Sequence, residues 1–194
     1  MNKPNTRSTF ATLGASNHVE HTRQKEDFYA TDPKAIDILL SVEKFKRMVL
    51  EPACGMGHLS KRLKKHDYIV ESMDLIDRGY GRTGIDFLKH NYTWSGDIIT
   101  NPPFKHAVEF IKHSLDILPV GNKVAMFLKI LFLETDGRKQ LFLKYPPKVI
   151  YILANRLCCA KDGDFVKNNT KAVGYAWYVF EKGFKGDTIV KWVN

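Results

Sequence analysis

Apolar positions recur along this chain at intervals that change character from segment to segment, and the changes mark out its elements. Positions 1–26 mix Asn, Thr, Ser, His and Arg with neither helical nor strand periodicity and read as a loose polar arm. Regularity begins at Thr31. Thr31 or Asp32 is a candidate cap, Pro33 suits a first helical turn, and Ala35, Ile36, Ile38, Leu39 and Leu40 supply the apolar face of a helix reaching about Lys44. Residues 47–50 have the pattern of a short buried strand, 52–57 form a turn, and 59–65 read as a helix with its basic residues outward. Further strands are expected at 68–75 and, past a Gly-rich stretch ending at Gly84, at about 97–100, followed by a helix over 105–118. The second half predicts a strand at 123–130, a helix around 135–145, strands at 149–154 and 175–181, and a short last strand at 188–193. Residues 161–171, rich in Asp, Asn, Lys and Gly, read as an exposed insertion.

Strands alternating with helices predict an α/β fold, a doubly wound and mostly parallel sheet covered on both faces, and the two adjacent final strands predict an antiparallel edge. Ligands of such sheets bind beyond the carboxyl ends of the strands, so the loops after Leu50, Leu75 and Thr100 are the places to look for chemistry. With 194 residues, 44% of them apolar, the chain has the size of one compact domain, taken here as 27–194 behind the 1–26 arm.

Charge adds a partner class. Lys and Arg number 30 against 21 Asp and Glu, and the net +9 favours a polyanion such as nucleic acid. No apolar run approaches the roughly 20 residues of a membrane span, and the first residues lack a signal peptide's apolar core, so no membrane partner and a cytoplasmic location are expected. Cys54, Cys158 and Cys159 have neither disulfide nor zinc spacing and are expected to be free thiols, Cys54 as a small packing residue. His58, His66, His106 and His113 show no metal spacing either, and are expected on solvent-facing helical positions.

Two segments break the periodicity in ways that suggest a site. Glu51-Pro52-Ala53-Cys54-Gly55-Met56-Gly57 follows a strand and opens a helix, where glycines let the backbone approach a bound nucleoside closely. A dinucleotide turn would carry a third glycine at position 60, but Ser60 stands there, which favours a nucleoside ligand without a pyrophosphate. Asp74 closes the second strand about 20 residues further on, where a carboxylate can accept from both ribose hydroxyls, with Asp77 as its rival. Asn101-Pro102-Pro103-Phe104 ends a strand with two prolines, which cannot continue a ladder and fix an extended loop. An amino group conjugated to an aromatic ring is a poor nucleophile because its lone pair is delocalised. Hydrogen bonds from its two protons to the Asn101 side-chain oxygen and the Pro102 carbonyl would favour a pyramidal nitrogen and aim that lone pair, while Phe104 stacks on the ring. A turn followed by a helix cap is the alternative for this loop.

The Glu51 to Gly57 stretch resembles the first motif of amino-group DNA methyltransferases, and Phe28-Tyr29-Ala30-Thr31-Asp32-Pro33 resembles the segment of that family that touches the methionine end of the cofactor. Gly84-Ile85-Asp86-Phe87-Leu88 is similar to the segment whose acid meets the cofactor's adenine amine, which implies Asp86 for that contact and Phe87 beside the ring. Asn101-Pro102-Pro103-Phe104 is similar to the catalytic tetrapeptide of N6-adenine methyltransferases, with Phe in place of the commoner Tyr. The resemblance covers most of 28–181, and residues 128–151 also resemble small methyltransferases of phage and prophage type. It implies a Rossmann-like class I methyltransferase fold, S-adenosyl-L-methionine as cofactor, and the N6 amine of adenine in DNA as acceptor. Tyr29, Thr31, Glu51, Pro52, Ala53, Gly55, Gly57, Asp74, Asp86 and Phe87 would hold the cofactor, and Asn101, Pro102, Pro103 and Phe104 would carry the reaction. The alternatives are an amino group of RNA or of a protein glutamine, or a nucleic-acid-binding module without catalysis. Only about 90 residues follow Phe104, and most are needed to complete the sheet, so no separate target-recognition domain is expected after the catalytic loop.

Overall fold

The structure, a computed structural model, describes residues 29–157, 159–161 and 173–194. The polar arm at 1–26, Asp27, Phe28, Cys158 and nearly all of the 161–171 insertion lie outside the described residues.

Seven strands form the main sheet: β2 (Met48–Glu51), β3 (Ile69–Ser72), β4 (Asp97–Thr100), β5 (Lys123–Lys129), β6 (Val149–Leu153), β8 (Tyr175–Glu181) and β9 (Ile189–Val193), in the order β3-β2-β4-β5-β8-β6-β9. The expected elements are present with small shifts of boundary. β3 is shorter than the pattern predicts because the chain turns after Ser72, and Met73 makes only an isolated bridge to Arg82. The helix expected over 105–118 opens as a 3-10 turn, Phe104–His106, before α3 (Ala107–Ile117). The other helices are α1 (Lys34–Val42), α2 (His58–Lys65) and α4 (Asp136–Lys144). The cap of α1 is Pro33, without a side-chain hydrogen bond, which corrects the expected cap at Thr31 or Asp32; the Asp32 carboxylate accepts from the Lys34 N–H at 2.9 Å just ahead of the helix.

β3, β2, β4 and β5 run parallel, and β8 is antiparallel to both of its neighbours, β5 and β6. The predicted antiparallel edge is therefore corrected in position: the antiparallel strand lies inside the sheet, and β9 at the margin is parallel to β6. Burial explains the order. Every residue from Tyr175 to Phe180 is buried, so β8 needs a partner on each side and cover on both faces, whereas most of β9 is exposed and Trp192 is 70% accessible. Successive residues of the central strands alternate between two cores. Met126, Leu128 and Tyr178 face α3 with its Phe110 and Ile111, while Phe127 and Trp177 face Ile36 and Leu39 of α1 and Leu63 of α2. Trp177 satisfies its indole N–H on the Ala35 carbonyl at 2.9 Å, tying α1 to the sheet.

A second, two-stranded sheet has no counterpart in the pattern of the sequence. β1 (Tyr29–Thr31) pairs antiparallel with β7 (Cys159–Lys161), Tyr29 opposite Lys161 and Thr31 opposite Cys159. From β2 the chain goes outward to β3 and returns to β4 on the other side of β2. This reversal of direction opens a crevice beyond Glu51 and Thr100, the carboxyl ends of two adjacent parallel strands.

Candidate active site

A cavity of about 370 Å³ occupies that crevice. Asn101, Pro102, Pro103 and Phe104 form part of its wall, together with Tyr29 and Thr31 of β1. Glu51, Pro52, Ala53 and Asp74 border it from the ends of β2 and β3, and Asp86 and Phe87 complete the set expected from the sequence. Gly55 and Gly57 are the exceptions, since both are buried and neither borders the cavity.

The glycines are needed for the backbone. Gly55 has φ 53° and Gly57 φ 78°, a left-handed conformation that side-chain-bearing residues adopt only with strain. The Gly55 N–H donates to Asp74 Oδ2 at 2.8 Å, which fastens the turn after β2 to the end of β3. Gly57 is needed for a second reason that the sequence did not show: a β-carbon there would overlap the ring of Tyr80.

Ser60, standing where a dinucleotide turn would carry glycine, has its own task. Its hydroxyl donates to the Glu51 carboxyl group and lies 2.6 Å from the Ser72 hydroxyl. Its backbone N–H also donates to Glu51, so Glu51 caps α2 in place of Gly57, which has no side chain to do so. Burial pushes the Glu51 carboxyl up to about 8 from its ordinary 4.5, and the hydrogen bonds from Ser60 only partly oppose it. Glu51 is therefore a neutral acid near neutral pH. A raised carboxyl pKa gives stability that is present below 4.5 and lost as pH rises through about 8. Chemical unfolding titrations between pH 5 and pH 9 are expected to show wild type losing stability with rising pH and Glu51→Gln showing a flatter profile.

Asp74 accepts from Gly55 N–H through Oδ2 and from Ile76 N–H through Oδ1 at 2.9 Å, with the Arg78 guanidinium 3.6 Å from Oδ1. A carboxylate has about four lone-pair sites, so these two backbone bonds leave it able to accept two hydroxyls. Asp77, its rival, does not border the cavity and accepts from the Gly79 N–H instead. Asp86 caps the 3-10 turn Phe87–Lys89 through the Leu88 N–H at 3.1 Å and pairs with Lys89. Phe87 is held against Phe110, ring centroids 5.1 Å apart, and edge-on to His113.

The Asn101 side chain is held by two hydrogen bonds. Its Nδ2 donates to the Tyr29 carbonyl at 3.0 Å and to Thr31 Oγ1 at 2.8 Å. Both amide hydrogens are thereby used, and Oδ1 is left buried without a hydrogen-bond partner. The β1 strand that the sequence did not disclose is thus what orients the first residue of the tetrapeptide. Phe104 stacks with Tyr29 at 6.2 Å between centroids, lies 6.3 Å from Tyr175, and has the Lys129 ammonium 4.8 Å from its ring centre.

No family model matches the sequence, and no curated protein matches it. Solved structures do match the fold. A Listeria monocytogenes protein assigned to the class I S-adenosylmethionine-dependent methyltransferases shares 15% identity at a TM-score of 0.62, over 89% of this chain and 68% of that one. The fold is that of the class I methyltransferases. The M protein of the type I restriction enzyme EcoKI is similar at 14% identity and a TM-score of 0.54, over 95% of this chain and 48% of its own. The type IIG restriction endonuclease BpuSI is similar at 13% identity and a TM-score of 0.56, over 88% of this chain and 28% of its own.

Other residues on the wall of this methyltransferase fold escaped sequence reasoning. Arg78, Leu75, Ile76 and Ile85 come from the loop after β3, and Phe110 from α3. An apolar Leu75-Ile76 pair inside a polar, Gly-rich stretch was the available signal. His58 and His113 are half-buried and turned inward, which corrects their expected solvent-facing placement, whereas His66 and His106 are exposed. His58 borders the cavity, and burial, followed by the charge of Lys61, lowers its pKa. Cys54 is buried as expected of a packing residue, and burial pushes its thiol up to about 12, so it stays protonated. Among the described residues, no helix is long and apolar enough to cross a membrane.

Proposed function

We propose that the protein transfers the methyl group of S-adenosyl-L-methionine to the exocyclic N6 amine of adenine in DNA. The observation that carries this reading is the Asn101 side chain on the cavity wall, with both amide hydrogens bound to β1 and its buried oxygen unpartnered. A buried acceptor without a donor costs about 1–3 kcal/mol, and an incoming N–H removes that cost. Because Tyr29 and Thr31 fix which way the amide points, Asn101 offers an acceptor only. An exocyclic amine has two protons to give, one to this oxygen and one to the Pro102 carbonyl. Held so, the nitrogen is drawn toward a pyramidal geometry and its lone pair out of conjugation with the ring.

The cavity fits the cofactor in size and donor set. Its volume lies in the range of small-molecule sites, and Asp74 retains acceptor capacity for a ribose diol. When bound, S-adenosyl-L-methionine supplies an electrophilic methyl group on a sulfonium. The amine forms the new carbon–nitrogen bond, the carbon–sulfur bond breaks, and the amine's surplus proton leaves to water. The chain's residues position and align the reactants, without a covalent enzyme intermediate.

Net charge favours nucleic acid over a protein glutamine as the acceptor. The shared fold with two proteins of restriction enzymes, EcoKI M and BpuSI, favours DNA over RNA. Incubation with methyl-labelled cofactor and separate pools of DNA, RNA and protein tests the assignment: label is expected in DNA. Label in RNA or protein alone would move the acceptor and keep the mechanism, and no label in any pool would remove the reading.

Phe104 is placed to stack on the extruded base. Phe104→Ala is expected to raise KM for DNA by about 10-fold or more, since stacking on an aromatic contributes roughly 1–3 kcal/mol per base. Phe104→Tyr keeps the ring face and is expected to restore most of the loss, checked by steady-state kinetics with DNA as the varied substrate.

A further inference from the structure

The loop between β3 and the Asp86 turn is closed at its base and fastened at its tip. At the base, the Asp74 N–H donates to the Arg82 carbonyl at 2.9 Å and the Arg82 N–H donates to the Ser72 carbonyl at 2.9 Å, so residues 75–81 leave and re-enter the sheet at one point. At the tip, the Tyr80 ring covers Gly57, the residue just before α2. Lys61 and Lys64 of α2 place their ammonium groups 4.9 Å and 5.5 Å from the ring centre, and Lys64 Nζ donates to the Tyr80 hydroxyl at 3.1 Å. The Cys54 thiol lies 3.5 Å from the Tyr80 carbonyl. Between base and tip, Leu75, Ile76 and Arg78 face the cavity, and the Ile76 N–H and Arg78 guanidinium are two of the partners that orient Asp74.

We propose that Tyr80 is a positioning residue for the cofactor, seated on Gly57 to hold the 75–81 loop against α2 and so keep Asp74, Ile76 and Arg78 in place around the nucleoside. The inference rests on the methyltransferase reading. It assigns Gly57 a purpose distinct from close approach to a ligand: the glycine is required because an aromatic ring from another loop occupies the space of its side chain. Gly57 and Tyr80, far apart in the chain, then act as one device, and substitutions at them cannot be independent.

A double-mutant cycle on the full chain tests this, with calorimetric titration of S-adenosyl-L-methionine as the readout and thermal melting to confirm that each variant is folded. Tyr80→Ala is expected to weaken cofactor binding about 10-fold, with the loss in KM for the cofactor and not in kcat at saturation. Gly57→Ala is expected to do the same in wild type by displacing the ring. In the Tyr80→Ala background Gly57→Ala should add little, leaving only the strain of its left-handed φ. Tyr80→Phe keeps the ring on Gly57 and should restore most of the affinity, although it loses the bond from Lys64. Folded Tyr80→Ala binding as tightly as wild type would overturn the inference, as would additive effects in the double variant, and the methyltransferase reading would stand in both cases. Wild type failing to bind the cofactor at all would overturn that reading and this inference together.

Discussion

Asn101→Ala is expected to bind S-adenosyl-L-methionine with near wild-type affinity and to transfer methyl groups at least about 100-fold more slowly, the scale on which one preorganised polar contact at a reacting centre acts. The asymmetry follows from what Asn101 touches. Its Nδ2 bonds, to the Tyr29 carbonyl and Thr31 Oγ1, tie it to β1 and are of ordinary length, so their loss loosens a strand without emptying the core. Its Oδ1 has no protein partner to lose. Loss of this acceptor therefore acts in a state in which an amine is present, while loss of the Nδ2 bonds accounts for any small change in cofactor affinity through Tyr29 and Thr31. Single-turnover rates with saturating cofactor, set beside a calorimetric affinity for the cofactor alone, separate the two effects. Wild-type rates in a folded Asn101→Ala would return the Asn101 to Phe104 loop to a structural turn before α3.

Asp74→Ala carries the second large expectation, a loss of cofactor affinity of about 100-fold or more. Its carboxylate joins the turn after β2 to the end of β3 through the Gly55 and Ile76 N–H groups, and faces Arg78 across 3.6 Å. Alanine removes both the proposed acceptor for the ribose hydroxyls and the acceptors that hold two backbone donors in place. Hydrogen bonds to a charged group contribute about 1.5–3 kcal/mol each, and loss of two such bonds to the ligand accounts for the factor. Asp74→Asn is the informative companion. One amide oxygen can serve one backbone donor, but the amide nitrogen then opposes the other, so this variant is expected to recover little. Calorimetric titration of both variants checks this, and tight binding by Asp74→Ala would move the ribose site elsewhere.

Much of this candidate site was legible in the sequence because the residues that line it interrupt local patterns. Two consecutive prolines after a buried strand, and Gly55 and Gly57 between a strand and a helix, are deviations that periodicity itself exposes. The apolar runs of β5 and β8 likewise announced strands, though not their places in the sheet. Features built from distant contacts were not legible. β1 and β7 are three residues each, too short for a period, and only their mutual pairing makes them strands. The partners of the Asn101 amide follow from that pairing, since Tyr29 and Thr31 reach it across about 70 residues of chain. The position of β8 between β5 and β6 depends on how two cores are shared among strands, which the order of elements along the chain does not state. That Gly57 also makes room for the Tyr80 ring was not legible, because Tyr80 gives no local sign of where its ring will rest.

Mass spectrometry of nucleosides from DNA incubated with the protein and S-adenosyl-L-methionine is the measurement closest to the central claim. The account predicts N6-methyladenine formed by wild type and reduced at least about 100-fold with Asn101→Ala. Methylation at a carbon or oxygen position, or N6-methyladenine formed equally by wild type and Asn101→Ala, would contradict an amine held on the Asn101 oxygen.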